Sequence, residues 1–162
     1  MKKLSVRPTD NDLESLVLVY SNMLFKLCFT ILGNNADAED AVSDVIVRYI
    51  TSAPAFNDDE HKKAWLLRIA TNICKDMLRK RRNHLNIDDV CEYCRTEESI
   101  NIVNDILKLP VKYKTVIYLY YIEGYKTKEI ASILSVSPAA VRKRLQYGRD
   151  ILRIEYGKDG SA

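Results

Sequence analysis

At 162 residues, of which 47% are hydrophobic, the chain can form one ordinary domain or two small ones, each with a modest core. A formal charge of +3 is too small to argue for a nucleic-acid or membrane-surface binder, so the distribution of charge has to decide. Four cysteines (Cys28, Cys74, Cys91 and Cys94) in a chain with no expected export signal are expected to be reduced thiols, which argues against a disulfide-stapled fold.

Met1-Lys2-Lys3 opens as a signal peptide could, but Arg7, Pro8 and Asp10 arrive before an apolar run can build. After this polar leader, Leu13, Leu16, Val17, Tyr20, Met23, Leu24, Leu27, Cys28, Ile31 and Leu32 recur at three- and four-residue steps, the pattern of a long amphipathic helix. Glu14, Asn22 and Lys26 interrupt it, so a core helix is expected and no membrane insertion. Gly33 ends the pattern, and Asn34, Asn35 and Asp37 offer caps for a second helix with Ala41, Val42, Val45, Ile46, Tyr49 and Ile50 as its apolar stripe. That helix opens with Asp37, Glu39, Asp40 and Asp44. Such carboxylates are either dipole partners on a solvated face or a docking surface for a basic partner.

Pro54 stops the second helix, and Ala53 to Glu60 reads as a loop. A third helix is expected from about His61 to Arg82, burying Ala64, Leu67, Ile69, Ala70, Ile73, Cys74, Met77 and Leu78. Trp65, Arg68, Asn72, Lys75 and Arg79 fall at helical steps along one flank, a combination of ring, amide and cations that can grip single-stranded or melted nucleic acid. A single tryptophan is more often a packing residue, which leaves Asn72 as the stronger candidate for base readout than Trp65.

His84 to Ser99 has no sustained period and is rich in Asn, Asp, Glu and Thr, as an inter-domain linker would be. Beyond it, Ile100, Val103, Ile106 and Leu107 begin a helix that stops at Pro110. Val111 to Glu123 gives another, with Val116, Ile117, Leu119 and Tyr120 inward, and Gly124 closes it. Tyr125 to Arg153 then reads as a helix-turn-helix. Thr127 is its expected first N-cap with Glu129 in the first turn; Ile130, Ala131, Ile133 and Leu134 form the inner face; Ser135-Val136-Ser137 makes the turn; and Ser137 before Pro138 is a fresh N-cap. In the last helix Val141, Leu145 and Leu152 face inward, while Ala139, Arg142, Lys143, Arg144 and Arg149 project outward, the composition of a recognition helix for a DNA major groove.

Charge supports this division. Asp37 to Glu60 carries seven acids against Arg48, Lys62 to Asn83 eight bases against Asp76, His84 to Asp105 six acids against Arg95, and Ile106 to Gly157 ten bases against four acids. Two basic surfaces separated by an acidic strap are what a two-point nucleic-acid binder requires. The fold class expected is all-α, with two small helical domains joined by a flexible acidic linker: residues 10–83, a linker over 84–99, and residues 100–157 containing the helix-turn-helix.

Catalytic patterns are missing. There is no glycine-rich phosphate loop, GxSxG turn or HExxH run. Cys91-Glu92-Tyr93-Cys94 with His84 supplies three zinc-type ligands and lacks a matching second pair. A thiol enzyme using Cys74 with His61 or His84 fails because Cys74 falls on an apolar helix side, where thiols are inert. No enzyme, metal or cofactor is expected.

Several motifs together resemble the bacterial extracytoplasmic-function (ECF) RNA polymerase sigma factors over nearly all of Leu16 to Arg153. Asp37-Ala38-Glu39-Asp40-Ala41-Val42 is similar to the family's DAED segment, and Trp65-Leu66 with Arg68-Ile69-Ala70 and Asn72 to its WLxRIAxN helix. Leu109-Pro110, Glu129-Ile130-Ala131 and Val141-Arg142-Lys143-Arg144-Leu145 resemble its second DNA-binding domain. The resemblance implies a cytoplasmic promoter-specificity subunit whose partners are core RNA polymerase, promoter DNA and an anti-sigma factor. It further implies polymerase binding through Asp37, Glu39, Asp40 and Asp44, and minus-ten binding through Trp65, Arg68, Asn72, Lys75 and Arg79. Minus-thirty-five binding would fall to Thr127, Lys128, Ser137, Ala139, Ala140, Arg142, Lys143 and Arg144. Ser43-Asp44 stands where the family usually has Gln-Glu, the loop Asn57 to Glu60 is more acidic than usual, and Tyr147 replaces a common arginine. The rival expectation is a helix-turn-helix regulator that binds duplex DNA as a dimer without polymerase.

Overall fold

The computed structural model describes residues 8–81 and 105–157. The linker over 84–99, with His84, Cys91 and Cys94, lies outside them, as does the expected helix start at Ile100. All the secondary structure among the described residues is helical, and the chain divides into two compact units between residues 89 and 90.

The first unit is a three-helix bundle. Helix α1 spans Asp10–Leu32 and begins earlier than its apolar pattern, because Thr9 and Asp12 cap it reciprocally. The Thr9 hydroxyl oxygen accepts the Asp12 N–H at 3.3 Å, and the Asp12 carboxylate accepts the Thr9 N–H at 2.9 Å. The Thr9 amide and hydroxyl hold the Asp12 carboxyl below its ordinary range. By length and composition α1 could cross a membrane, but here it packs on both other helices of the unit, and Leu24, Leu27, Cys28 and Ile31 are buried in the core. Val17, expected inward, is exposed, as are Leu18 and Val19.

Gly33 ends α1 with φ +81°, the left-handed conformation that a residue without Cβ adopts at no steric cost. The chain re-enters a helix at once: α2, Asn35–Ser52, is capped by the Asn34 side chain, which accepts the Asp37 N–H at 2.9 Å. Its buried line is Ala38, Ala41, Val45 and Tyr49. The small residues at its start allow a close approach to α1. Helix α3, Asp59–Arg81, starts two residues before the expected His61, because the Asp58 carboxylate accepts the His61 N–H at 2.7 Å. Leu66, Leu67, Ala70, Thr71 and Cys74 are its buried set. Thr71 is tolerated there because its hydroxyl donates to the Leu67 carbonyl at 2.7 Å.

In the second unit, residues 105–108 are helical, and α4, Val111–Ile117, continues as a π-helix over Tyr118–Ile122. The Glu123 N–H donates to the Tyr118 carbonyl five residues back, at 3.2 Å. This wider turn rotates the residues within it relative to the positions an α-helix would give them, so Tyr118 and Leu119 are buried and Tyr120, expected inward, is exposed. Gly124, at φ +75°, turns the chain into α5, Thr127–Leu134.

Lys126, not Thr127, occupies the N-cap position of α5. Its extended backbone leaves its N–H pointing back to the Glu129 carboxylate, which accepts it at 2.8 Å. A lysine side chain cannot accept in return, so only this half of a capping box forms. All four expected inner residues, Ile130, Ala131, Ile133 and Leu134, are buried. Ser135 takes the left-handed conformation (φ 56°, ψ 44°) and its N–H donates to the Ala131 carbonyl. Two residues later the Ser137 hydroxyl accepts the Ala140 N–H at 3.1 Å and starts α6, Pro138–Gly157. Val141 and Leu145 bury against α5, and Gly148 lets α6 cross α4: a Cβ there would lie 2.5 Å from Ile117 Cδ1.

Candidate nucleic-acid interface

On α6 the exposed residues begin at its first turn. Ala139, Arg142 and Lys143 are exposed, and Ala140 and Arg144 half-buried. The Ser137 cap fixes where this face begins, so a small residue comes first and cations come one turn later. Lys143 lies with its ammonium 5.9 Å from the Tyr147 ring, which in turn sits 6.0 Å from Tyr113; this partly fixes a long side chain on the surface. Arg149, expected outward, is folded back and half-buried, its Nη1 donating to the Tyr121 hydroxyl at 3.3 Å. On the neighbouring helix start Lys128 is exposed and Thr127 half-buried.

In the first unit, Arg68, Asn72, Lys75 and Arg79 are all exposed along one flank of α3, at steps of four, three and four residues. Arg79 pairs with Asp76 on the same helix. Trp65 belongs to packing more than to this flank. It is half-buried, edge-on to Phe56 at 5.7 Å and to Tyr49 at 6.3 Å, and Phe56 also meets His61 edge-on at 5.4 Å. The cluster ties the loop after α2 to the first turns of α3 through ring contacts. The Lys62 ammonium lies 5.3 Å from the Tyr49 ring and 5.7 Å from the Tyr20 ring. Burial pushes the Tyr20 hydroxyl's pKa up, and the Asp59 carboxylate adds to that shift.

The carboxylates of α2 divide into two kinds. Glu39, Asp40 and Asp44 are exposed, and Asp40 and Asp44, four residues apart, share a helix side. Asp37 is half-buried and engaged, accepting from the Asn34 side-chain amide at 2.9 Å and pairing with Arg81 at the end of α3. It therefore joins α2 to α3 as well as lending charge to the helix start.

Sequence patterns do not reveal three features here. The aromatic cluster is hidden because Phe56 lies in a loop, Asp58 reads as loop charge when it is a cap, and Arg48 reads only as the one base in an acidic stretch. Ser, Thr, Asp or Asn immediately ahead of a helix start is the signal that points to Asp58. Among the described residues, no group of three or more His, Cys, Asp or Glu is placed to hold a metal ion. Cys28 and Cys74 are thiols, fully buried.

Residues 16–84 match the family described as Sigma-70 region 2, and residues 102–152 match Sigma-70, region 4. The ECF RNA polymerase sigma factor SigW of Bacillus subtilis is 31% identical, over 91% of this chain and 91% of its own length. SigV of the same organism, an RNA polymerase sigma factor, is 28% identical over 83% and 85%. Among solved structures, the sigma factor RpoE of Bartonella quintana, crystallised with the anti-sigma factor NepR, has a TM-score of 0.75 at 19% identity, covering 93% of this chain and 99% of its own. CnrH, in complex with the cytosolic domain of CnrY, has a TM-score of 0.69 at 24% identity, covering 94% and 92%. At these identities the two structures speak for the fold.

Proposed function

The chain belongs to the extracytoplasmic-function family of RNA polymerase sigma factors, and on that premise we propose how its surfaces divide the work. The protein binds core RNA polymerase and directs it to particular promoters. The exposed carboxylates Glu39, Asp40 and Asp44 on α2 dock on the basic surface of the polymerase clamp, with Asp37 fixing the start of that helix. Opposite charge across such a contact speeds encounter and sets register. The α3 flank of Arg68, Asn72, Lys75 and Arg79 takes the melted minus-ten strand, and Trp65 holds the adjoining loop in place for it. On α6, Ala139, Arg142, Lys143 and Arg144 read the minus-thirty-five element in the major groove, while Thr127, Lys128, Ser137 and Ala140 at the two helix starts approach the phosphates.

The observation that carries this division is the neighbouring placement, within one packed bundle, of exposed acids on α2 and exposed amide and cations on α3. A duplex-only regulator needs neither. In this reading the protein is a regulator with no catalysis and no cofactor of its own, working in the cytoplasm. An anti-sigma protein is its natural inhibitor, as NepR is crystallised with the structural relative RpoE.

Run-off transcription from genomic promoter fragments tests it. Core polymerase should initiate at a defined subset of promoters only when this protein is added. Tight binding of one operator by a dimer of the protein, with no association with core polymerase, would instead establish the plain regulator.

A further inference from the structure

Arg48 is the one base between Asp37 and Glu60, and it sits where α2 faces α3. Two adjoining hollows meet at it. One, of about 420 Å³, is lined by Asp44, Arg48, Ile73, Asp76 and Lys80 among others. The second, of about 360 Å³, brings Arg48, Ile73 and Asp76 together with Asn72 and Lys75. Arg48, Ile73 and Asp76 are thus common to both, and the groove runs from the exposed α3 flank across to α2.

Charge decides what this groove suits. Asp76 is paired with Arg79, which leaves Arg48 and Lys80 against Asp44 in the lining of the larger hollow. Among the described residues the Arg48 guanidinium has no hydrogen-bond or ion-pair partner. An exposed arginine lining a groove of positive balance, with planar donors uncommitted, is suited to bidentate contact with a phosphodiester. The groove is also continuous with Asn72 and Lys75, the residues assigned above to the melted strand.

We infer that Arg48 is a second-helix phosphate contact, seating the backbone of the single-stranded non-template DNA as it leaves the α3 flank. This rests on the division of surfaces proposed above. It extends the strand's footprint onto α2, where Arg48 lies one turn beyond the docking carboxylate Asp44 and lines the same groove with it.

The test uses holoenzyme assembled from core polymerase and the full chain. Its ligand is a fluorescent single-stranded oligonucleotide carrying the non-template minus-ten sequence of a promoter recovered by run-off transcription. Affinity is measured from about 50 to 200 mM salt, where losing one single-strand phosphate contact flattens the slope of log K against log salt by about 0.7. Arg48→Ala should show that flattening with core affinity unchanged, and Arg48→Lys should restore most of the slope. A photo-crosslinking residue at position 48 should label the DNA strand. An unchanged slope, or crosslinking to a polymerase subunit in place of DNA, would overturn the assignment. A wild-type chain that never joins core polymerase would overturn the division of surfaces as well, and the core-binding measurement alone reports that outcome.

Discussion

The Asp58 carboxylate accepts the His61 backbone N–H at 2.7 Å, so an acid in what reads as an unusually acidic loop is the cap of the helix that presents Asn72. Asp59 and Glu60 come next, in the first turn of α3, where carboxylates favour the positive helix end. The acidity of this loop thus has a structural use that does not involve a ligand. Asp58→Ala should destabilise the protein by about 1 kcal/mol, as loss of an N-cap does, and Asp58→Ser should recover most of it. Urea unfolding followed by circular dichroism measures both, and an Asp58→Ala variant as stable as the parent would remove the cap's role.

The helix-turn-helix stores strain at one residue. Ser135 is the single non-glycine with positive φ among the described residues, a conformation that costs an L-residue roughly 1 kcal/mol or more. Ser135→Gly should therefore stabilise the second unit by up to about 1 kcal/mol, partly offset by the greater freedom of glycine in the unfolded chain. Thermal unfolding reads this directly. A fall in stability would mean that the serine side chain supplies something its backbone conformation does not reveal.

Arg142 lies one turn into α6 and is exposed. If it reaches a base edge, Arg142→Ala should cost ~1 to 3 kcal/mol and relax preference at one position of the upstream element. Binding measured over a panel of single-base variants separates the cases, since equal weakening on every sequence would make it a phosphate contact.

Asn72 is exposed on α3, so its side chain contributes little to the core yet is free to pair with an extruded base edge. Asn72→Ala should keep the parent's melting temperature and lose open-complex formation, monitored by permanganate footprinting. A collapse in stability, with the surviving folded protein opening promoters normally, would make Asn72 structural.

Much of the architecture is legible in the sequence because it rests on local rules. Gly33, Asn34, Ser137 and Pro138 each mark a boundary through one conformational property or one hydrogen bond, and the structure places the boundaries there. The features that escape such reading depend on contacts distant in sequence or on backbone register. The π-turn over Tyr118–Ile122 exchanges the burial of Tyr118 and Tyr120, and no side-chain pattern announces a change in hydrogen-bond spacing. Arg149 turns back to Tyr121, twenty-eight residues away. Gly148 reads as a helix weakener until Ile117 is seen against it. For the surfaces, helical spacing locates the α3 flank and the α6 cations, whereas the engagement of Asp37 by Arg81 requires the fold.

The proposed docking of the exposed acidic side of α2 on core polymerase is tested most directly by one affinity comparison. Core polymerase is titrated with the wild-type protein and with Asp40→Lys, and circular dichroism checks the folding of both. Asp40 is exposed, so the charge reversal should leave the helical spectrum intact, weaken core binding by about tenfold, equivalent to ~1.4 kcal/mol, and abolish promoter-dependent transcription. A folded Asp40→Lys protein that binds core polymerase and initiates transcription as the wild type does would contradict the account.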